Sequence, residues 1–355
     1  MPIPHIYKAA SLAGVGKKLD VHTRSLAELK PGEVAIKVTA TAINPVDWKI
    51  RDSGYFVDKW PTILGSDAAG EVAALGPDVS TVEVGDRVFF QGMLGHKESC
   101  TFQQYCKMPA DLLLKTPKNL SDEQAAGITL TTIAAIVGFY DKSGKGLAAP
   151  WDEGGDKVGK GKAIVILGGA TSVGQYAIQL ARLSGYERII TTASSKHNDY
   201  LTSLGAHVII DRHDATPDKF RESLGGLPLD FVFDSPSLPE TQTQGVEVVR
   251  ATETRDSCVI TLMWVSEEIK KLEDAGDIKV PVKQVLGLGW SPDLFHLSKP
   301  MVKHLGGEDG WVAKGKFVPN RTTVLEGGLE ALEEGLEKLK AGVSGQKLVV
   351  RPFDS

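Results

Sequence analysis

The segment Gly168-Gly169-Ala170-Thr171-Ser172-Val173-Gly174 carries the first chemical signal in this chain of 355 residues. It stands between a short apolar run, Ala163–Leu167, and a stretch with Val173, Ala177, Leu180 and Ala181 at helical spacing. A glycine turn in that setting lets backbone N–H groups face a pyrophosphate at the positive end of a helix. Against the dinucleotide fingerprint it reads G-x-T-x-x-G, with Thr171 at the middle glycine. Gly169, Ala170, Thr171, Ser172, Val173 and Gly174 are the candidate phosphate contacts, and an ordinary strand–helix turn is the alternative.

A second signal lies about twenty residues on, where folds that prefer NAD place a carboxylate on the ribose 2′-hydroxyl. Here the stretch reads Thr191-Thr192-Ala193-Ser194-Ser195-Lys196-His197-Asn198, without Asp or Glu. Ser194, Ser195, Lys196 and Asn198 offer hydroxyl, amide and cationic donors that suit a 2′-phosphate, which a carboxylate would repel. NADP(H) is therefore the expected cofactor. Ser194 or Ser195 also suits a helix N-cap. Asp211, ending the third strand, could repel that phosphate, and Arg212 beside it could offset the repulsion.

These residues need a scaffold of alternating strands and helices. Ala163–Leu167, Arg188–Ala193, His207–Asp211, Leu229–Asp234 and Ser257–Val265 read as strands separated by helical stretches, which implies parallel βαβ units in a doubly wound sheet. The first third is different. Glu33–Ala40 alternates apolar and polar residues at period two, and Ala68–Leu75 and Asp86–Gln91 read as further short strands. Ser143–Lys162, rich in Gly, Lys and Asp, reads as a surface insertion. The tail returns to a helix over Leu329–Lys340 and a strand over Lys347–Arg351.

Composition narrows the function classes. Apolar residues make up 42% and charged residues 24%, a globular balance, and the net charge of −5 offers no cationic excess for nucleic acid. Three cysteines, Cys100, Cys106 and Cys258, give no disulfide framework and fit a reducing compartment. The first residues, Met-Pro-Ile-Pro-His-Ile-Tyr-Lys, lack a signal-peptide pattern, and no run approaches the ~18 apolar residues of a membrane span. The ending Arg-Pro-Phe-Asp-Ser matches no lipidation or peroxisomal tail. A cytoplasmic protein with no membrane or nucleic-acid partner is expected.

Further motifs carry a resemblance. Asn44-Pro45-Val46-Asp47, Gly65-Ser66-Asp67-Ala68-Ala69-Gly70-Glu71-Val72, Val84-Gly85-Asp86-Arg87-Val88, Phe102-Gln103-Gln104-Tyr105, the glycine turn and Gly345-Gln346-Lys347-Leu348-Val349-Val350 resemble, in order and interval, the medium-chain dehydrogenase/reductase superfamily. The resemblance spans nearly the whole chain. It implies an α/β protein: a GroES-like β-rich catalytic domain from residues 1–125 and 300–355, and a Rossmann NADP(H)-binding domain over 126–299. It extends the cofactor contacts to Pro45 and Lys347.

Zinc alcohol dehydrogenases of that superfamily hold the metal through a cysteine, a histidine in Gly-His-Glu and a later cysteine or acid. Here Asn44-Pro45 occupies the first cysteine region and Ser66 replaces the histidine. The lobe of four close cysteines is missing, and His96 near Cys100 reads as a surface loop pair, so no metal site is expected. Without a Lewis acid, conjugate hydride delivery suits the site better than reduction of a plain ketone. The run Asn44-Pro45-Val46-Asp47-Trp48-Lys49-Ile50-Arg51 is similar to that of stand-alone fungal enoyl reductases that partner polyketide synthases. In that group the lysine matching Lys49 is taken to bond the substrate carbonyl.

Lys49 and Asn44 are thus the candidate catalytic residues. A solvated loop lysine and a turn cap are their respective alternatives, and Tyr55 and Trp60 are placed in the cleft or in the core. The expected activity is hydride delivery from NADPH to the β-carbon of an enone, enal or enoyl thioester. Quinone reduction and a non-catalytic NADPH-binding scaffold are the competing readings. An acyl-carrier or synthase partner is implied by the resemblance alone, the Lys-rich insertion being its docking candidate, and a monomer and a homodimer are both compatible.

Overall fold

The computed structural model describes residues 5–354; Met1–Pro4 and Ser355, which belong to the terminal segments read above, lie outside the described residues. The strands are β1 (Tyr7–Leu12), β2 (Leu19–Arg24), β3 (Glu33–Ala42), β4 (Thr62–Ile63), β5 (Ala68–Leu75), β6 (Arg87–Phe90), β7 (Tyr105–Pro109), β8 (Leu114–Lys115), β9 (Ala163–Leu167), β10 (Arg188–Ala193), β11 (Val208–Asp211), β12 (Leu229–Asp234), β13 (Val259–Thr261), β14 (Val282–Gln284), β15 (Thr322–Leu325) and β16 (Lys347–Val350). The α-helices are α1 (Pro45–Ser53), α2 (Asp122–Ala125), α3 (Thr129–Tyr140), α4 (Ser172–Leu183), α5 (Asn198–Leu204), α6 (Pro217–Ser223), α7 (Pro239–Ala251), α8 (Glu267–Glu273), α9 (Phe295–Leu305) and α10 (Leu332–Ala341).

The chain forms two compact units, one from residues up to Leu130 together with Gly289 onward, the other Thr131–Leu288. The expectation from the sequence puts these transitions at 125/126 and 299/300.

In the first unit β15, β16, β3, β5, β6 and β8 lie side by side, β7 also pairs with β3, and β2-β1-β4 form a smaller sheet. The period-two alternation of β3 turns Val34, Ile36 and Val38 into a core with Val72, Val88, Phe90, Cys106 and Met108. The returning tail completes this sheet: β16 pairs antiparallel with β3, Val349 opposite Ala42 and Val350 opposite Thr41. Both ends of the chain therefore build one β-rich body.

The second unit is a six-stranded parallel sheet in the order β11-β10-β9-β12-β13-β14, the doubly wound arrangement of dinucleotide folds. Every residue of β9 and of β12 is buried, as a strand covered on both faces requires. Val165, Leu167, Val232, Val246, Val249 and Phe220 share its core.

Several elements differ from the sequence reading by one to three end residues, and two segments differ by more. Strand β13 covers only Val259–Thr261 of the expected Ser257–Val265. Beyond it Leu262 N–H turns to Ser237 Oγ at 2.8 Å and Trp264 O accepts from Gln242 Nε2 at 3.1 Å, so the apolar run leaves the ladder. The Ser143–Lys162 insertion is not a free surface loop. Gly144, Ala149, Gly155 and Gly159 are buried, and Lys145 and Lys162 pair with Asp230 at 2.9 and 3.3 Å.

Asp230 also accepts from Tyr186 Oη at 2.6 Å. Burial pushes its carboxyl up, but the Tyr186 and Lys145 hydrogen bonds and the two ammonium charges outweigh burial and hold it below the usual carboxylate range. A depressed acid stabilises the fold above its unfolded pKa and loses that contribution as pH falls through the folded one. Asp230→Asn should therefore destabilise by about 2–4 kcal/mol in urea unfolding at pH 7. The gap to the wild type should shrink as pH falls below the ordinary Asp value of ~3.9. A gap independent of pH would rule out this network as the cause.

Candidate active site

The glycine turn connects β9 to α4, and its geometry follows from close packing. A Cβ on Gly169 would lie 2.2 Å from Thr191 Oγ1, and one on Gly174 would lie 2.3 Å from Gly168 O. Only glycine lets strand and helix approach this far. Thr171 is the N-cap: its Oγ1 accepts from Gly174 N–H at 3.0 Å and donates to Ser235 Oγ at 2.9 Å. Its hydroxyl is thus spent on building the turn. Ala170, Ser172 and Val173 are half-exposed at the positive end of a helix of 12 residues. That is a cradle for an anion, and it fits the pyrophosphate of a dinucleotide.

At the end of β10, Ser194 is half-buried and Ser195, Lys196 and Asn198 are exposed, while His197 is buried. The register sets Ala193 opposite Asp211, and Arg212 N–H donates to Ala193 O at 3.1 Å, so exposed Arg212 stands at the same edge. Asp211 Oδ1 accepts from His213 N–H at 3.0 Å, which engages the carboxylate in its own turn. Arg212 is the cation that strand register adds to this group.

The other candidates lie in the β-rich unit. Helix α1 begins with Pro45 after Asn44 at the N-cap and stops at Gly54 in the left-handed conformation. Asn44 is buried and Pro45 exposed. Asn44 N–H donates to Asp47 Oδ2 at 2.7 Å, and Lys347 Nζ donates to Asn44 Oδ1. Lys347 Nζ also stands 3.5 Å from Asp67 Oδ2, and Asp67 Oδ1 accepts from Thr129 Oγ1 at 2.6 Å and Leu130 N–H at 3.1 Å.

This cluster is fully enclosed, and burial dominates its titration. Burial pulls the Lys347 ammonium down, with Asp67 and Asp47 opposing. It pushes Asp67 up against the pull of Lys347 and Thr129. Asp47 is pushed up to about 7, again by burial first, with the Asn44 N–H and Lys347 acting the other way.

Lys49, on the same helix, is half-buried, and burial holds its ammonium below the usual lysine range. Its Nζ and that of Lys340 each stand 5.6 Å from the centre of the Trp48 ring. Tyr55 is exposed and Trp60 half-buried, so Tyr55 is not a core residue.

Two families match this chain: alcohol dehydrogenase GroES-like domain over residues 30–118, and zinc-binding dehydrogenase over residues 172–258. The trans-enoyl reductase himH of Aspergillus japonicus is 32% identical over 335 residues, covering 90% of this chain and 89% of the relative. The chain belongs to the medium-chain dehydrogenase/reductase superfamily. It is an oxidoreductase of that type, similar to fungal enoyl reductases. A second relative, the trans-enoyl reductase poxP of Penicillium oxalicum, is 30% identical over 94% of this chain and 90% of its own. The superfamily fold is shared with an alcohol dehydrogenase superfamily protein of Novosphingobium aromaticivorans. That match has a TM-score of 0.78 and 24% identity over 97% of this chain and 99% of the other. It is shared also with the quinone oxidoreductase of Coxiella burnetii, with a TM-score of 0.74 and 24% identity over 98% and 99%.

The zinc that one family description brings with it does not fit this chain's residues. Among the described residues no group of three or more His, Cys, Asp or Glu side chains is placed to hold a metal ion. Ser66 and Asn44 are buried at the positions the resemblance gives to zinc ligands, and Cys100 donates its Sγ–H to Met93 O at 3.3 Å. Nor is any helix among the described residues long and apolar enough to cross a membrane.

The depressed ammonium gives a direct expectation. Lys49 should become reactive toward an amine-labelling reagent at a lower pH in the folded protein than in the urea-unfolded chain, with the labelling midpoint read by peptide mass mapping. Coincident midpoints would contradict the burial effect on Lys49.

Proposed function

We propose that this oxidoreductase reduces the carbon–carbon double bond of an α,β-unsaturated carbonyl compound, an enoyl thioester first among them, with NADPH and without zinc. The observation that carries the reading is Lys49: a half-buried ammonium with a lowered pKa, on a helix clamped at both ends, in a chain about 30% identical to trans-enoyl reductases. The reduced nicotinamide, when bound, supplies the hydride. As the β-carbon gains it, negative charge gathers on the carbonyl oxygen, and the Lys49 ammonium donates a hydrogen bond there. The α-carbon then takes up a proton, which leaves the saturated carbonyl compound and the oxidised cofactor. A lysine whose pKa is lowered by burial is the better donor for such an oxyanion.

Specificity for NADP(H) is supported by the donor set at the end of β10. Ser194, Ser195, Lys196 and Asn198 follow β10, the Arg212 backbone bonds to the end of that strand, and the Asp211 carboxylate accepts from the His213 N–H. The exposed lysines left on the insertion, Lys157 and Lys160, and Lys142 just before it, share the stretch with exposed Asp152, Glu153 and Asp156. That mixed-charge stretch offers an acidic carrier little net attraction.

The test is NADPH oxidation by the metal-stripped protein against an enoyl thioester, an enone, an enal, a quinone and a saturated ketone, with products identified by mass. Saturated products from the conjugated substrates are expected. Turnover confined to quinone would replace this reading with quinone reduction, and none at all despite cofactor binding would favour a non-catalytic role. Lys49→Met should lower kcat by about 100-fold while NADPH affinity stays within twofold. The double variant Lys196→Ala/Arg212→Ala should weaken NADPH about tenfold or more and leave NADH unchanged. Equal losses for both cofactors would remove the 2′-phosphate assignment.

A further inference from the structure

Lys347 opens β16, and the pairing of that strand decides where its side chain goes. Val350 and Val349 face Thr41 and Ala42 of β3, and Ile43 N–H donates to Leu348 O at 2.9 Å. One step further along the same register brings Lys347 beside Asn44. Its Nζ donates to Asn44 Oδ1 and stands 3.5 Å from Asp67 Oδ2, the lysine and aspartate side chains being 3% and 0% exposed. An ammonium so enclosed does not face solvent, where a dissolved cofactor arrives. It faces the start of α1.

Asn44 is the N-cap of α1, and Asp47, within the first turn, closes on the Asn44 N–H. The opposite end of α1 is tied to α10. Arg51, with a side chain 5% exposed, pairs with Asp52, Glu333 and Glu337 at 2.8, 2.9 and 2.6 Å, and Lys340 reaches Asp52 at 2.7 Å. Lys49 lies between these clamps, about 7 Å along the helix from its cap. A buried ion pair of this kind adds little net stability compared with apolar packing, and its best-attested use is to fix one arrangement.

We propose that Lys347 is a positioning residue: by holding Asn44 and flanking Asp47 and Asp67, it fixes the N-terminus of α1 and so aims Lys49. This rests on the role of Lys49 proposed above. The family resemblance gives Lys347 to the cofactor and Asn44 to the reacting groups; in this proposal both act through the helix.

The test is a set of double-variant cycles with an enoyl thioester and NADPH. Two perturbations break the link differently. Lys347→Met/Asp67→Asn removes both members of the closest pair and leaves Asp47 with its Asn44 N–H bond, and Asn44→Ala leaves that pair intact. Each should lower kcat about tenfold or more, with the cofactor Kd, read by NADPH fluorescence, within twofold of wild type. In a Lys49→Met background each should change kcat less than twofold, because groups acting through one residue are non-additive. Losses that multiply with Lys49→Met would overturn the proposal, as would a raised cofactor Kd with kcat intact. Full kcat in Lys49→Met alone would instead remove the mechanism beneath it.

Discussion

The β-rich unit is organised around one enclosed charge. Lys347 brings a positive charge to a place where Asp67 and Asp47 are also out of water. An isolated ion there would be prohibitive, and the opposite charges and hydrogen bonds offset most of that cost, Asp47 Oδ1 and Asp67 Oδ2 being left without a hydrogen bond. Asp67 draws on Thr129 and Leu130, Asp47 on the Asn44 backbone, and Asn44 Oδ1 takes the ammonium. Lys347 must come from β16 and Asn44 from the end of β3, so the two ends of the chain have to pair before the charge is matched. The requirement for charge balance and the closing of the sheet are the same event.

Helix α1 inherits this order. Its first turn faces the charged cluster and its last turn faces the carboxylates of α10, while the ammonium groups of Lys49 and Lys340 each stand 5.6 Å from the centre of the Trp48 ring. A short helix of nine residues would be marginal by itself. Tied at both ends, it can hold a half-buried lysine in one place. In the parallel unit a comparable economy appears at the glycine turn, where Thr171 caps α4 and ties the turn to Ser235 beyond β12.

Much of the scaffold is legible in the residues. Strands β9, β10 and β12 have the expected limits because short apolar runs flanked by turn residues have few other places to go. The partial failure at β13 has the same origin. Leu262–Val265 is equally apolar, and only the hydrogen bonds to Ser237 and Gln242, from another loop, show that it leaves the sheet. The insertion misleads because its lysines look solvated until Asp230, far along the chain, is seen to hold two of them. The site divides the same way. The glycine turn and the donors after β10 are local patterns. The Lys347–Asn44 contact joins residues 303 positions apart, and Arg212 reaches Ala193 only through strand register.

The measurement that bears most directly on the proposed chemistry follows one atom. Cofactor carrying deuterium at the transferable position of its nicotinamide would be given to the metal-stripped protein with a crotonyl thioester, and the product examined by NMR. Conjugate delivery puts the deuterium on the β-carbon of a saturated thioester. Deuterium on the former carbonyl carbon, with the double bond intact, would contradict the account.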